Sequence, residues 1–134
     1  MHFKQTSNPD RKYNCIAWAA EDHSRWWWPD NHGVAFWPLG VERKGTIDSF
    51  IKAFTTLGYS KCQTDLLEDG FQKISIYVNS QGCPTHAARQ LSTGLWTSKL
   101  GEDMDVEHGF SDLSYFPQLV QAYGTVAVIM KRKI

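Results

Sequence analysis

Ile74-Ser75-Ile76-Tyr77-Val78 places β-branched residues at alternate positions, the composition of a strand that packs against a core. Asn79-Ser80-Gln81-Gly82, directly after it, is a turn by composition. Thr85 to Leu91 can form a second strand, and Ser92-Thr93-Gly94 leads into a third, Leu95 to Leu100. Three closely spaced strands joined by short turns predict an antiparallel meander. Outward from it, Thr46 to Leu57 is the clearest helix. Ile47, Phe50, Ile51, Phe54 and Leu57 share one face, Thr46 is a candidate N-cap and Gly58 fits the position after the C-terminus. Residues 14–20 predict a short helix capped by Asn14, and Thr125 to Met130 predicts a last strand before the basic end Lys131-Arg132-Lys133. Residues 111–122 suit an irregular helix interrupted by Pro117. Residues 1–12 and 60–70 are polar and are expected to be extended or looped. Residues 24–41 are a long aromatic loop containing Trp26-Trp27-Trp28. The expected fold is α+β, one domain over 1–134, with a helix bearing Cys15 packed on an antiparallel sheet.

With 134 residues, 42% apolar and 21% charged, the chain has the composition of a globular domain with a core. Its formal charge is zero, which gives no electrostatic basis for binding nucleic acid or an anionic membrane surface. No apolar run approaches the ~20 residues that span a bilayer, and Met1 to Asp10 has no apolar signal core. A cytoplasmic location is expected. The three cysteines, at 15, 62 and 83, are an odd number without a CxxC pair. Free thiols are expected, with no metal site and no cofactor.

Cys15 heads Cys15-Ile16-Ala17-Trp18-Ala19-Ala20, a run of helix formers. A thiol at a helix N-terminus meets unpaired N–H groups and the positive end of the helix dipole, both of which favour thiolate. A nucleophilic cysteine also needs a base, and His86 in Pro84-Thr85-His86-Ala87-Ala88 is the candidate. A third group should orient the imidazole. Thr97, Ser98 and Lys99 on the third strand, and Asp103, Asp105 and Glu107 after it, are available, with Ser98 and Glu107 selected as catalytic candidates. The Cys15 N–H with the side-chain amide of Asn14 or Gln5 is a candidate oxyanion hole. Trp26, Trp27, Trp28, Arg89, Lys99 and Asn14 are candidate substrate contacts, the two cations for an anionic group. Each residue also has a plainer role: Cys15 as a buried helix thiol, His86 as a hydrogen-bonded strand histidine, His108 as a packing residue, the tryptophans as an aromatic plug.

The order of a helix bearing Cys followed by antiparallel strands bearing His resembles the papain-like cysteine hydrolases, including their bacterial cell-wall amidase branch. That resemblance implies a thiol hydrolase of peptide or amide bonds, or an acyl transferase using the same pair. Two alignments are open. One puts His86 at the base position, followed by the small Ala87-Ala88. The other matches the base-bearing strand of the amidases to Lys73-Ile74-Ser75-Ile76-Tyr77, where Lys73 stands in place of the histidine and His86 takes the orienting position. The chain also resembles an uncharacterised bacterial domain family through YNCIAWA (13–19), RWWWPD (25–30), TLGY (56–59), THAARQL (85–91), WTSKLG (96–101) and EH (107–108). The alternative function is a non-catalytic bacterial or phage protein, such as an immunity factor, inhibitor or accessory factor, whose Trp-rich loop contacts a protein partner.

Overall fold

The β-branched run expected at 74–78 extends three residues toward the N-terminus, to Phe71, in an interior strand of a sheet. The chain's computed structural model describes residues 1–100 and 104–134. The elements are β1 (Phe3–Gln5), α1 (Cys15–Ala19), α2 (Ile47–Thr55), β2 (Ser60–Cys62), β3 (Phe71–Val78), β4 (Pro84–Gln90), β5 (Trp96–Lys99), β6 (Asp105–His108), a 3₁₀ turn (Asp112–Tyr115), α3 (Pro117–Tyr123) and β7 (Thr125–Lys133). All seven strands form one sheet in the order β1-β6-β5-β4-β3-β7-β2, and each neighbouring pair is antiparallel.

This corrects the expected α+β, papain-like fold. The protein is sheet-dominated, with three short helices and 19% of its residues helical. Three strands arise where the sequence reads as polar tail or loop. β1, β2 and β6 are three or four residues long, and β1 and β2 lie on the two edges. Such strands are held by backbone pairing along a neighbour, so they carry no apolar period to detect. Pro117 starts α3 at its first position and does not interrupt it, because a missing N–H costs nothing there.

Strand alternation divides the side chains between two faces. Ile74 and Ile76 on β3, Ala87 on β4 and Met130 on β7 face α1, α2 and the Trp-rich loop, forming one core with Ile16, Phe50 and Phe54. Tyr77, Ala88 and Trp96 face the other way and pack against Leu113, Phe110 and Leu119. α2 forms for the reasons expected. Thr46 Oγ1 accepts from the Ser49 N–H, and Phe50, Ala53 and Phe54 are buried. On the back face, Lys73 is fully buried. Its Nζ donates to the carbonyls of Thr64 and Leu66 at 2.8 and 2.7 Å and pairs with Glu68 at 2.9 Å. Lys131 holds the other Glu68 oxygen at 2.9 Å, so the polar segment 63–70 is fastened across β3 and β7.

The junction between α3 and β7 has no room for a side chain. Gly124 adopts φ 80°, ψ −152°, and a Cβ built there would lie 1.9 Å from the Val78 carbonyl oxygen. Gly82 has a similar φ of 78° but open space around it. Gly82→Ala should therefore cost about 1–2 kcal/mol, the ordinary penalty for a left-handed residue. Gly124→Ala must also move backbone and should cost at least twice as much, as read from urea unfolding midpoints.

Candidate functional site

The Trp-rich loop has almost no regular structure, so its backbone is held by side chains. Asn14 is the first anchor. Its Oδ1 accepts from the N–H of Ala17, capping α1, and from the N–H of Trp27, both at 3.1 Å. Its Nδ2 donates to the Trp27 carbonyl at 2.8 Å. Asp22 is the second. One oxygen accepts from the backbone and hydroxyl of Ser24, the other from Arg25 Nε and Trp27 Nε1. Burial pushes its carboxyl pKa up, but those donors prevail and hold it far below the usual range. Asp30 is the third, accepting from the N–H groups of Val34 and Ala35 and from Arg43. Trp26 and Trp28 bracket Phe36 through backbone hydrogen bonds.

This fixed loop and the start of α1 enclose a well of about 460 Å³, lined by Asn14, Cys15, Trp26, Trp28, Thr85 and Tyr123 among others. Val34, 87% exposed, stands at its edge. Cys15 is the first residue of α1, as expected, but its sulfur is turned to the sheet, 4.0 Å from the Thr85 carbonyl oxygen. Burial pushes the thiol pKa up to about 11, against smaller opposing effects of nearby backbone N–H groups and Lys99. The expected thiolate is therefore not favoured. α1 has only five residues and one of its first-turn N–H groups is already taken by Asn14, so little field remains to offset desolvation.

The structure does not bring His86 to Cys15. His86 lies on the back face, its ring against Tyr77 and Tyr123, while Cys15 packs in the front core. His86 Nε2 meets Ser98 Oγ at 2.9 Å, and Ser98 Oγ meets His108 Nε2 at 2.7 Å. His108 Nδ1 lies 2.7 Å from the Gly109 carbonyl, which can only accept. The proton pattern follows: His108 carries its hydrogen on Nδ1, Ser98 donates to His108, and His86 donates from Nε2 to Ser98. Among the described residues, His86 Nδ1 is left as a buried acceptor without a partner. Desolvation, reinforced by His108, lowers the His86 pKa to about 3, and desolvation likewise lowers that of His108.

The other expected site residues are spread over the fold. Ser98 joins the two histidines on the back face, away from the thiol. Glu107 is on β6 and pairs with His2 at 2.7 Å beside the β1 edge. Thr97 accepts from Trp18 Nε1, and Asp105 accepts from the hydroxyls of Tyr13 and Ser7. Asp103 lies outside the described residues. Lys99 is fully buried, donates to the Asp10 carbonyl and sits 5.1 Å from the Tyr13 ring, while Arg89 lies over Trp18 and donates to its carbonyl. Neither presents an open anion site. Asn14 spends its amide on structure, so it is not an oxyanion donor, and Gln5 Nε2 donates to the Ser7 carbonyl. Trp27 is buried, Trp28 packs edge-on against Phe50 and Trp26 is 38% exposed, its Nε1 on the Arg11 carbonyl. Among the tryptophans, Trp26 and Trp28 reach the well and Trp27 does not. Tyr123, Thr85 and Val34 complete the well without any sequence signal.

A family model described as Domain of unknown function (DUF7689) matches residues 4–131, and the chain belongs to that family. No curated protein and no solved structure is significantly similar to it. Among the described residues, no helix is long and apolar enough to cross a membrane.

Two outcomes are expected from these contacts. Asn14→Ala removes a cap, worth about 1 kcal/mol, and strands two buried Trp27 backbone groups at about 1–3 kcal/mol each. The urea unfolding free energy should fall by about 3 kcal/mol or more, and Asn14→Ser, which restores only the cap, should recover about 1 kcal/mol of it. The histidines give a pH dependence. Both are neutral when folded, whereas in the unfolded chain each takes up a proton near pH 6.5. The unfolded state thus binds more protons below that pH, and their stabilising contribution, complete above it, declines as pH falls, for His86 down to about pH 3. Between pH 6.5 and about 5, before unfolded carboxylates titrate, stability should drop with a slope approaching 1.4 kcal/mol per pH unit from His86, with a contribution of the same sign from His108. His86→Gln should remove the His86 part of that slope.

Proposed function

We propose that this member of an uncharacterised domain family is a non-catalytic binding domain that seats a protein partner on its Trp-rich loop. The observation that carries this reading is the apolar well beside Trp26, built on a loop that Asn14, Asp22 and Asp30 hold in place. Apolar concavities with a few fixed polar groups are where proteins hold ligands. Preorganisation favours affinity, because little ordering entropy is lost when a partner arrives. Partly exposed Trp26, a residue type enriched among binding hot spots, stands at the mouth of the well beside exposed Val34. Thiol hydrolysis and acyl transfer both need an ionisable sulfur faced by a base. A protonated Cys15, with His86 committed to Ser98 across the sheet, supplies neither.

Two measurements test this. Iodoacetamide at pH 7 should alkylate exposed Cys83 first and Cys15 last, at least tenfold more slowly, because so little of the Cys15 thiol is ionised. Preferential labelling of Cys15 would restore the nucleophile and overturn the non-catalytic reading. The neutral apolar dye N-phenyl-1-naphthylamine should brighten on the folded protein, with affinity at least fivefold weaker in Trp26→Ala. No brightening, or brightening that ignores Trp26→Ala, would show that the well does not bind.

A further inference from the structure

We infer that the Trp-rich loop recognises an acidic protein segment, in which a carboxylate side chain lies close to a large apolar one. The inference rests on the binding reading above and names the chemistry of the partner. Two concavities adjoin on the loop and share Trp26, Val34 and Ala35 as a common wall. The first is the apolar well beside Cys15. The second, about 580 Å³, carries both Arg25 and Arg43 and no acidic residue on its lining.

The two guanidiniums are differently employed. Arg43 is turned inward, donating to both the carbonyl and carboxylate of Asp30 and to the carbonyl of Ala35. Arg25 donates only Nε, to Asp22 at 2.9 Å. Its guanidinium carbon lies 3.6 Å from the centre of the Phe36 ring, and its side chain is 52% exposed. Among the described residues, its two terminal nitrogens have no partner. A guanidinium stacked on a ring keeps its edge free, and that edge offers the parallel N–H pair that fits a carboxylate.

The charged side chains on the second concavity are of one sign. Both oxygens of Asp22 and both of Asp30, which lines the well, already accept from donors of the loop itself. Arg25 keeps donors open to a partner, beside an apolar depression. A positively charged segment would meet the exposed guanidinium of Arg25 and be repelled by it. An extended chain presents side chains two apart on the same side, about 6–7 Å from each other. Such a segment can place an aromatic or aliphatic side chain in the well while its carboxylate reaches over the shared wall.

The test uses four synthetic nonapeptides in a Gly-Ser background, blocked at both ends, centred on Glu-Ser-Phe, Gln-Ser-Phe, Lys-Ser-Phe or Glu-Ser-Ala. Amide shift titrations of the ¹⁵N-labelled full chain give the affinities. The Glu-Ser-Phe peptide should bind about tenfold more tightly than the Gln and Ala peptides, with the Lys peptide weakest, and should shift the amides of Arg25, Trp26 and Ala35. Arg25→Gln should bring the Glu peptide down to the affinity of the Gln peptide while leaving the Gln peptide unchanged. Arg25→Lys, which keeps the charge without the fork, should retain part of the preference. Equal affinities for the Glu, Gln and Lys peptides would overturn the inference, as would a Glu preference that survives in Arg25→Gln. If that variant fails to fold, the wild-type ranking decides alone. If no peptide shifts any amide at millimolar concentration, the inference also fails. The naphthylamine dye then separates the two levels. Binding that depends on Trp26 leaves the well standing as a site, and loss of both signals removes the binding reading as well.

Discussion

The side-chain amide of Asn14 ties the helix, the loop and the sheet together. One oxygen caps α1 and holds the Trp27 N–H, and one nitrogen holds the Trp27 carbonyl. α1 has five residues, too few to persist alone, since helix nucleation is unfavourable and short helices rely on tertiary contacts. Its cap is thus also its link to the loop that covers it. Because Asn14 is buried, every polar atom of its amide needs a partner, and Trp27 supplies two of the three contacts. The register of the loop over the sheet follows, and with it which tryptophan is inside. Trp27 is drawn in beside Asp22, and Trp26 and Trp28 are left on either side to wall the well.

Magnitudes decide the state of the thiol. A helix terminus contributes about 0.3–1 kcal/mol to a charge beside it, less than one pKa unit. Raising the Cys15 pKa from 9 to about 11 corresponds to about 3 kcal/mol against the thiolate. Position at the head of a helix is a weak indicator when the sulfur faces a sheet. Strand alternation then governs the partner. Ala87 points toward α1, so its neighbour His86 must point away, to Ser98. A Cys-then-His order in sequence carries no information about which face of a strand the imidazole occupies.

The central meander and α2 were legible because both carry strong local signals, β-branched alternation between turns and an apolar stripe between a threonine cap and Gly58. The edge strands were not, because Phe3–Gln5 and Ser60–Cys62 draw their order from a neighbour's backbone. Their appearance moves the protein from the expected mixed class to a sheet-dominated one. At the site, the aromatic loop announced itself by composition, and Asn14 by its place before a helix. The separate fates of the three consecutive tryptophans were not readable, since they depend on hydrogen bonds across 13 residues to Asn14 and five to Asp22. Lys99 and Arg89 looked like free cations on neighbouring strands. Their reach to the carbonyls of Asp10 and Trp18 spans 89 and 71 residues of chain, beyond any local pattern.

Polar groups are distributed unevenly between the two faces, which bears on where binding can occur. The back face carries a buried chain of two histidines and a serine, with the hydroxyls of Ser75 and Tyr77 facing each other and the Trp96 indole nitrogen buried in the same layer. Groups sealed in this way respond to acid through stability and are not presented to a partner. The front face is apolar where β3, β4 and β7 meet α1 and α2, turns Arg89, Thr97, Lys99 and Asp105 toward Tyr13 and Trp18, and carries further polar groups in the loop above, where Asn14, Asp22 and Asp30 substitute for strand pairing. A loop built so has a rigid backbone without a strand's obligation to pair its outer edge. Its outward side chains include Trp26, Val34 and Arg25, the residues that the proposed binding reading turns toward a partner.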